Sequence, residues 1–153
     1  MKKIILIAFL PLLFLSCKEE IYSTIPNAPV DIKLDLSFED MKLTAPYEYV
    51  CFTTPRKASD KIGYGGVLVI SGLGDRGIIL YAYDLACPVE ATASVKVVPD
   101  DIGYCTCPKC GTKYNIANGS GVPVSGPGKY FLRPYTVIDT GNNTYRVTNS
   151  RYY

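Results

Sequence analysis

Cys105-Thr106-Cys107-Pro108-Lys109-Cys110-Gly111-Thr112-Lys113-Tyr114-Asn115 decides how this chain is read. Three thiols fall within six residues, and Pro108 and Gly111 shape a tight loop between two short strands. Cys107-Pro-Lys-Cys110 has the C-x-x-C spacing that lets two sulfurs face one ion. Lys109 and Lys113 beside it favour the thiolate forms. Outward from this stretch, Cys87 stands at the end of another strand, in Asp84-Leu85-Ala86-Cys87-Pro88-Val89-Glu90, and supplies a fourth thiol. Soft thiolates favour zinc or an iron–sulfur centre, and four of them close a tetrahedral site. The candidate metal ligands are therefore Cys87, Cys105, Cys107 and Cys110. Cys105 and Cys107 are alternate residues of one strand and share a face, which makes Cys105 a candidate donor. Two disulfides among the same four cysteines are the competing reading, and reduced thiols are a third.

The expectation of export comes from the N-terminus. Residues 1–16 open on Lys2 and Lys3 and continue in an apolar run, residues 4–15, shorter than the roughly 20 residues of a membrane span. That is the pattern of a secretory signal peptide. Its end, Phe14-Leu15-Ser16-Cys17, resembles the lipobox of bacterial lipoproteins, which implies acylation of Cys17 and removal of everything before it. Lys18-Glu19-Glu20 resembles the acidic export tag of surface lipoproteins. Residues 17–29, with Pro26 and Pro29, read as a lipidated tether. The expected location is the bacterial cell envelope, on an outer membrane and facing the surface or the periplasm. The expected membrane contact is the lipid anchor.

Five cysteines remain after Cys17, an odd number, so at least one thiol stays out of any intramolecular disulfide. Cys51, within Tyr49-Val50-Cys51-Phe52, reads as a small buried hydrophobe. Loss of Lys2 and Lys3 with the leader leaves 14 basic against 14 acidic residues, so nothing points to nucleic acid or to a strongly charged partner. The chain has no histidine, which removes Ser-His and Cys-His nucleophile systems. No enzyme is expected.

The folded part, residues 30–153, reads as all-β. Val30, Ile32, Leu34 and Leu36 alternate with Asp31, Lys33, Asp35 and Ser37, a strand with one buried face. Further strands are expected over residues 47–53, 67–71, 77–84, 92–98, 102–107, 113–116, 130–140 and 144–148. Residues 56–65 and 118–128 read as loops. With 13 Gly and 11 Pro among the strands, the expectation is one small β-sandwich or barrel whose loop-bearing part carries the cysteines. Gly72-Leu73-Gly74-Asp75-Arg76-Gly77 matches G-x-G-x-x-G but joins two strands, so it reads as a hairpin and not as a phosphate loop.

Tyr83-Asp84-Leu85-Ala86-Cys87-Pro88, followed by Cys107-Pro108-Lys109-Cys110-Gly111-Thr112-Lys113-Tyr114, resembles the two cluster-binding loops of Rieske domains. The likeness runs on through Gly119, Val122 and Val124 to Ser125-Gly126-Pro127 and Leu132-Arg133-Pro134-Tyr135, so it spans residues 66–147. It implies a β fold whose smaller, loop-bearing subdomain holds a 2Fe–2S cluster between two cysteines and two histidines. Cys87 and Cys107 match the family's cysteines, and Gly126-Pro127 matches the turn that covers the cluster. Cys110 and Val89 stand where the histidines would be, so a standard Rieske centre cannot form. The resemblance then implies either an all-thiolate site completed by Cys105, of lower potential, or a fold kept without its cofactor. A redox or surface protein partner is the expectation that goes with it.

Overall fold

In the structure, a computed structural model, residues 23–75 and 77–149 are described. The leader (residues 1–16), Cys17 and the Lys18-Glu19-Glu20 tag lie outside the described residues. The described chain is all-β, with a nearly closed barrel-like sheet and a second, smaller sheet.

The large sheet contains β1 (Val30–Asp35), β2 (Tyr49–Phe52), β3 (Lys61–Ile62), β4 (Val67–Gly74), β5 (Gly77–Asp84), β10 (Pro134–Gly141) and β11 (Thr144–Thr148), in the order β2-β4-β5-β10-β11-β1-β3. The small sheet contains β6 (Val98–Pro99), β7 (Tyr104–Thr106), β8 (Lys113–Asn115) and β9 (Pro123–Ser125), in chain order. Every pairing is antiparallel.

The period-2 pattern of β1 does what it predicts: Val30, Ile32 and Leu34 are buried in the barrel core. β4 is buried on both faces. Val67 and Val69 point into the barrel core, whereas Leu68 and Ile70 point into a second core beneath the small sheet. β5 divides in the same way. Leu80 and Ala82 face the barrel; Tyr81 and Tyr83 face the second core, and the same alternation carries on through Leu85 to Cys87. The first cysteine loop is thus aimed by the register of β5.

Arg56 ties the two ends of the large sheet together. Its guanidinium stacks on the Phe52 ring at 4.5 Å, donates to the Lys33 carbonyl oxygen at 3.1 Å and pairs with the buried Asp40 at 3.0 Å.

Five expectations change. Residues 56–65 include β3, and residues 118–128 include β9, both too short to show a period. Residues 92–97 form no strand, although Cys87 N–H donates to the Val95 carbonyl and Val97 N–H to the Leu85 carbonyl. Cys51 is exposed and not buried: Val50 and Phe52 take the inward positions of β2, and the opposite face runs past the edge of the second core. Finally, the described part of the tether, residues 23–29, is docked. Ile25 is buried and its carbonyl accepts from Arg133 Nη1 at 2.7 Å. The packed unit therefore begins ahead of Val30.

Candidate metal centre

Two loops meet at the top of the second core. The first follows β5 and is tied down at both ends, since Cys87 N–H donates to Val95 O at 3.0 Å and Ala91 N–H to Cys87 O at 2.8 Å. The second joins β7 to β8. Cys107 N–H donates to Thr112 O and Gly111 N–H to Cys107 O, each at 2.9 Å. Gly111 closes this turn at φ +72, a left-handed conformation that glycine adopts without steric cost.

These loops bring the Sγ atoms of Cys87, Cys107 and Cys110 within 4.8 Å of one another. Cys87 and Cys107 are fully buried and Cys110 is half-buried, so the group opens to solvent on the Cys110 side. Cys87 and Cys110 are 3.7 Å apart at sulfur. Two thiolates bound to one tetrahedral zinc at about 2.3 Å lie about 3.8 Å apart, so this edge already has the length a shared ion needs. All five described cysteines are free thiols.

The structure leaves Cys105 out of this group. Cys105 does share the inward face with Cys107, but two residues of strand carry it about 6.6 Å deeper. It is packed in the second core, opposite Tyr114 in the β7–β8 register. Burial pushes its thiol pKa up strongly, and the nearby Asp100 carboxylate adds to the effect. That behaviour suits a core residue.

Gly126, at φ +89, lies so close to the second loop that a Cβ there would sit 2.7 Å from Thr112 Cα. Pro127 is exposed beside it. Gly128 N–H donates to Thr112 Oγ1 at 3.0 Å. The Gly126-Pro127 turn therefore lies against the backbone of Gly111 and Thr112.

Thr112 and Tyr114 complete the surroundings. Cys110 Sγ donates to Thr112 Oγ1 at 3.2 Å, and the same oxygen accepts from Gly128 N–H at 3.0 Å. The partial burial of Cys110 opposes ionisation, but the hydrogen bonds from Thr112 and the neighbouring thiols outweigh it and lower the pKa. Cys87 behaves oppositely: burial pushes it up to about 11. The Tyr114 hydroxyl lies 3.7 Å from Cys87 Sγ, and its own pKa is raised, first by burial and then by that thiol. Across the mouth, exposed Lys109 pairs with Glu90 at 2.5 Å, which links the two loops.

No protein-family model and no curated protein matches this chain. The site must be read from its own chemistry.

Two contributors sit outside the motif. Asp84, fully buried, accepts from the N–H groups of Tyr64 (2.9 Å), Gly65 (3.0 Å) and Ala86 (2.7 Å) and from the Tyr135 hydroxyl (2.6 Å). It fixes the residue just before Cys87. Thr24 donates from Oγ1 to the Pro88 carbonyl at 2.5 Å, on the other side of the same cysteine. An acidic residue ending an apolar strand was the available signal for Asp84. Nothing local marks Thr24.

Proposed function

We propose that this chain is an envelope-anchored, Rieske-like lipoprotein in which Cys87, Cys107 and Cys110 hold a soft metal centre, and that it serves as a binding or electron-transfer module and not as an enzyme. The observation that carries the proposal is the convergence of three thiols from two loops within 4.8 Å. A 2Fe–2S cluster takes four protein ligands, whereas the triad offers three. The donor set therefore favours a single ion such as zinc, which Cys87, Cys107 and the half-buried Cys110 would hold. Bound there, the metal would supply a fixed charge and, if it is a redox metal, an electron site. The protein residues hold the thiolates, keep water from Cys87 and Cys107, and set Thr112 against Cys110. The anchor would be lipid on Cys17 and the location an outer membrane.

A second reading is favoured by the 3.7 Å between Cys87 and Cys110, a pair that a small side-chain rotation would bring to bonding distance. The chain would then be a structural or interaction lipoprotein without a cofactor.

Elemental analysis of the full chain, purified without oxygen, separates these readings. About one metal ion per chain is expected, lost in Cys110→Ser. Full metal content in that variant, or a folded, metal-free wild type, would sink the metal reading.

A further inference from the structure

The docked N-terminal segment fixes which end of the domain the membrane anchor leaves from. Thr24 Oγ1 bonds to the carbonyl of Pro88, the residue after Cys87. Arg133 holds the next residues by two contacts, Nη1 to Ile25 O at 2.7 Å and Nη2 to Asn27 Oδ1 at 3.0 Å. Asn149 Nδ2 adds bonds to Asn27 Oδ1 at 3.0 Å and to Ala28 O at 3.1 Å. With the Ile25 side chain buried, this segment is a built part of the domain. From Val30 the chain then runs along β1 towards the opposite end, where Leu36 N–H meets the β10–β11 turn at Asn143.

Only seven peptide steps separate Cys17 from Thr24. Fully extended, they reach about 25 Å. A domain of this length has a radius of gyration of about 14 Å and is about 36 Å across. The leash is therefore shorter than the domain is wide. We infer that the cysteine-bearing end is held against the bilayer surface, with the β10–β11 turn pointing away from it. The inference rests on acylation of Cys17 in the proposed function and is independent of whether metal is bound.

Val89, next to Pro88, and Tyr130 are exposed, and Lys129 lies beside Tyr130, just past the Gly128 contact to Thr112. Phe38 is exposed at the opposite end, so exposed apolar groups do not choose between the two ends, and the shortness of the leash does.

The test uses the full, lipidated chain in phosphatidylcholine vesicles carrying an acceptor dye on a fraction of headgroups. A fluorescent amino acid replaces either Lys129, near the thiols, or Phe38, an exposed residue beyond the far end of β1. Energy transfer to the lipid is expected to be about twofold or more higher from position 129, given the domain's width. Inserting about twenty Gly/Ser residues after Glu20 should remove that contrast, because a flexible linker of that length spans about 25 Å on average and can extend much further. Thr24→Val should reduce it. Equal transfer from both positions in the unextended chain would overturn the inference, as would a contrast that survives the insertion or an unacylated Cys17 by mass spectrometry. Metal content, measured on the same preparation, is a separate readout: a metal-free protein with the expected contrast defeats the metal reading and leaves the orientation standing.

Discussion

Replacing Asp84 with asparagine tests whether the first cysteine loop is held by a buried charge. Oδ1 accepts from Gly65 and Ala86 N–H, and Oδ2 accepts from Tyr64 N–H and the Tyr135 hydroxyl. Asparagine keeps one oxygen for the first pair but turns an amide NH2 towards the second. The tyrosine hydroxyl can rotate and accept; the Tyr64 N–H cannot, and it loses its acceptor. One stranded donor costs about 1–3 kcal/mol, and two remaining bonds lose their charge assistance, about 0.5–1 kcal/mol each. The expected loss is about 2–5 kcal/mol. With about 2.1 cal/mol/K of unfolding entropy per residue, that lowers the melting temperature by about 7–19 °C. Thermal unfolding followed by circular dichroism measures it. Tyr135→Phe, which removes one of the four bonds, should cost about 1–2 kcal/mol. The two changes should be strongly non-additive, since both act on Oδ2. A D84N protein melting within about 2 °C of wild type would refute the account of Asp84 as a charged clamp.

Cys105→Ala should retain full metal by elemental analysis while losing about 1–2 kcal/mol from the small void it leaves in the second core; loss of metal would return Cys105 to the ligand set. Cys51, exposed but with a thiol pKa raised by desolvation, should react with a maleimide more slowly at neutral pH than Cys110 does in metal-free protein, and Cys51→Ser should remove that slower phase with stability unchanged within about 0.5 kcal/mol. In metal-free protein, the raised pKa of Cys87 sets an alkaline limit. The protonated thiol is favoured by the fold, so its contribution is fully present below pH 9 and is lost as pH rises towards 11, which denaturant titrations across that window would detect. Cys110 shifts the other way, so its alkylation rate should stay high to lower pH than that of an ordinary thiol, and Thr112→Val should remove the advantage.

The strands legible in the sequence were those whose alternation has a single meaning. β1 buries Val30, Ile32 and Leu34 as its pattern says, and the β4–β5 hairpin forms across its glycines. β3 and β9 were missed because strands of two or three residues carry no period and are held by neighbours distant in sequence: Val30 opposite Ile62 and Lys113 opposite Ser125. The site divided similarly. The C-x-x-C spacing brings the thiols of Cys107 and Cys110 together because a tight turn fixes both within one loop. Cys87 joined them because β5 delivers it on the inward face. Cys105 satisfied the face rule yet fell outside, since alternation fixes direction and says nothing of depth. Cys51 went wrong for the complementary reason: an apolar neighbourhood in sequence does not reveal that a strand lies at the end of a sheet. The docking of Thr24 on Pro88 spans sixty-four positions and has no sequence signature at all.

The double-sided burial of β4 bears on how this protein can fail. A chain whose cysteine end never closes would leave Leu68, Ile70, Tyr83 and Leu85 on the outer wall of an otherwise complete barrel. Such an apolar face on a β-sheet invites self-association. The cysteine end is thus also the cover of an apolar wall of the barrel, so a lesion that opens it exposes that wall.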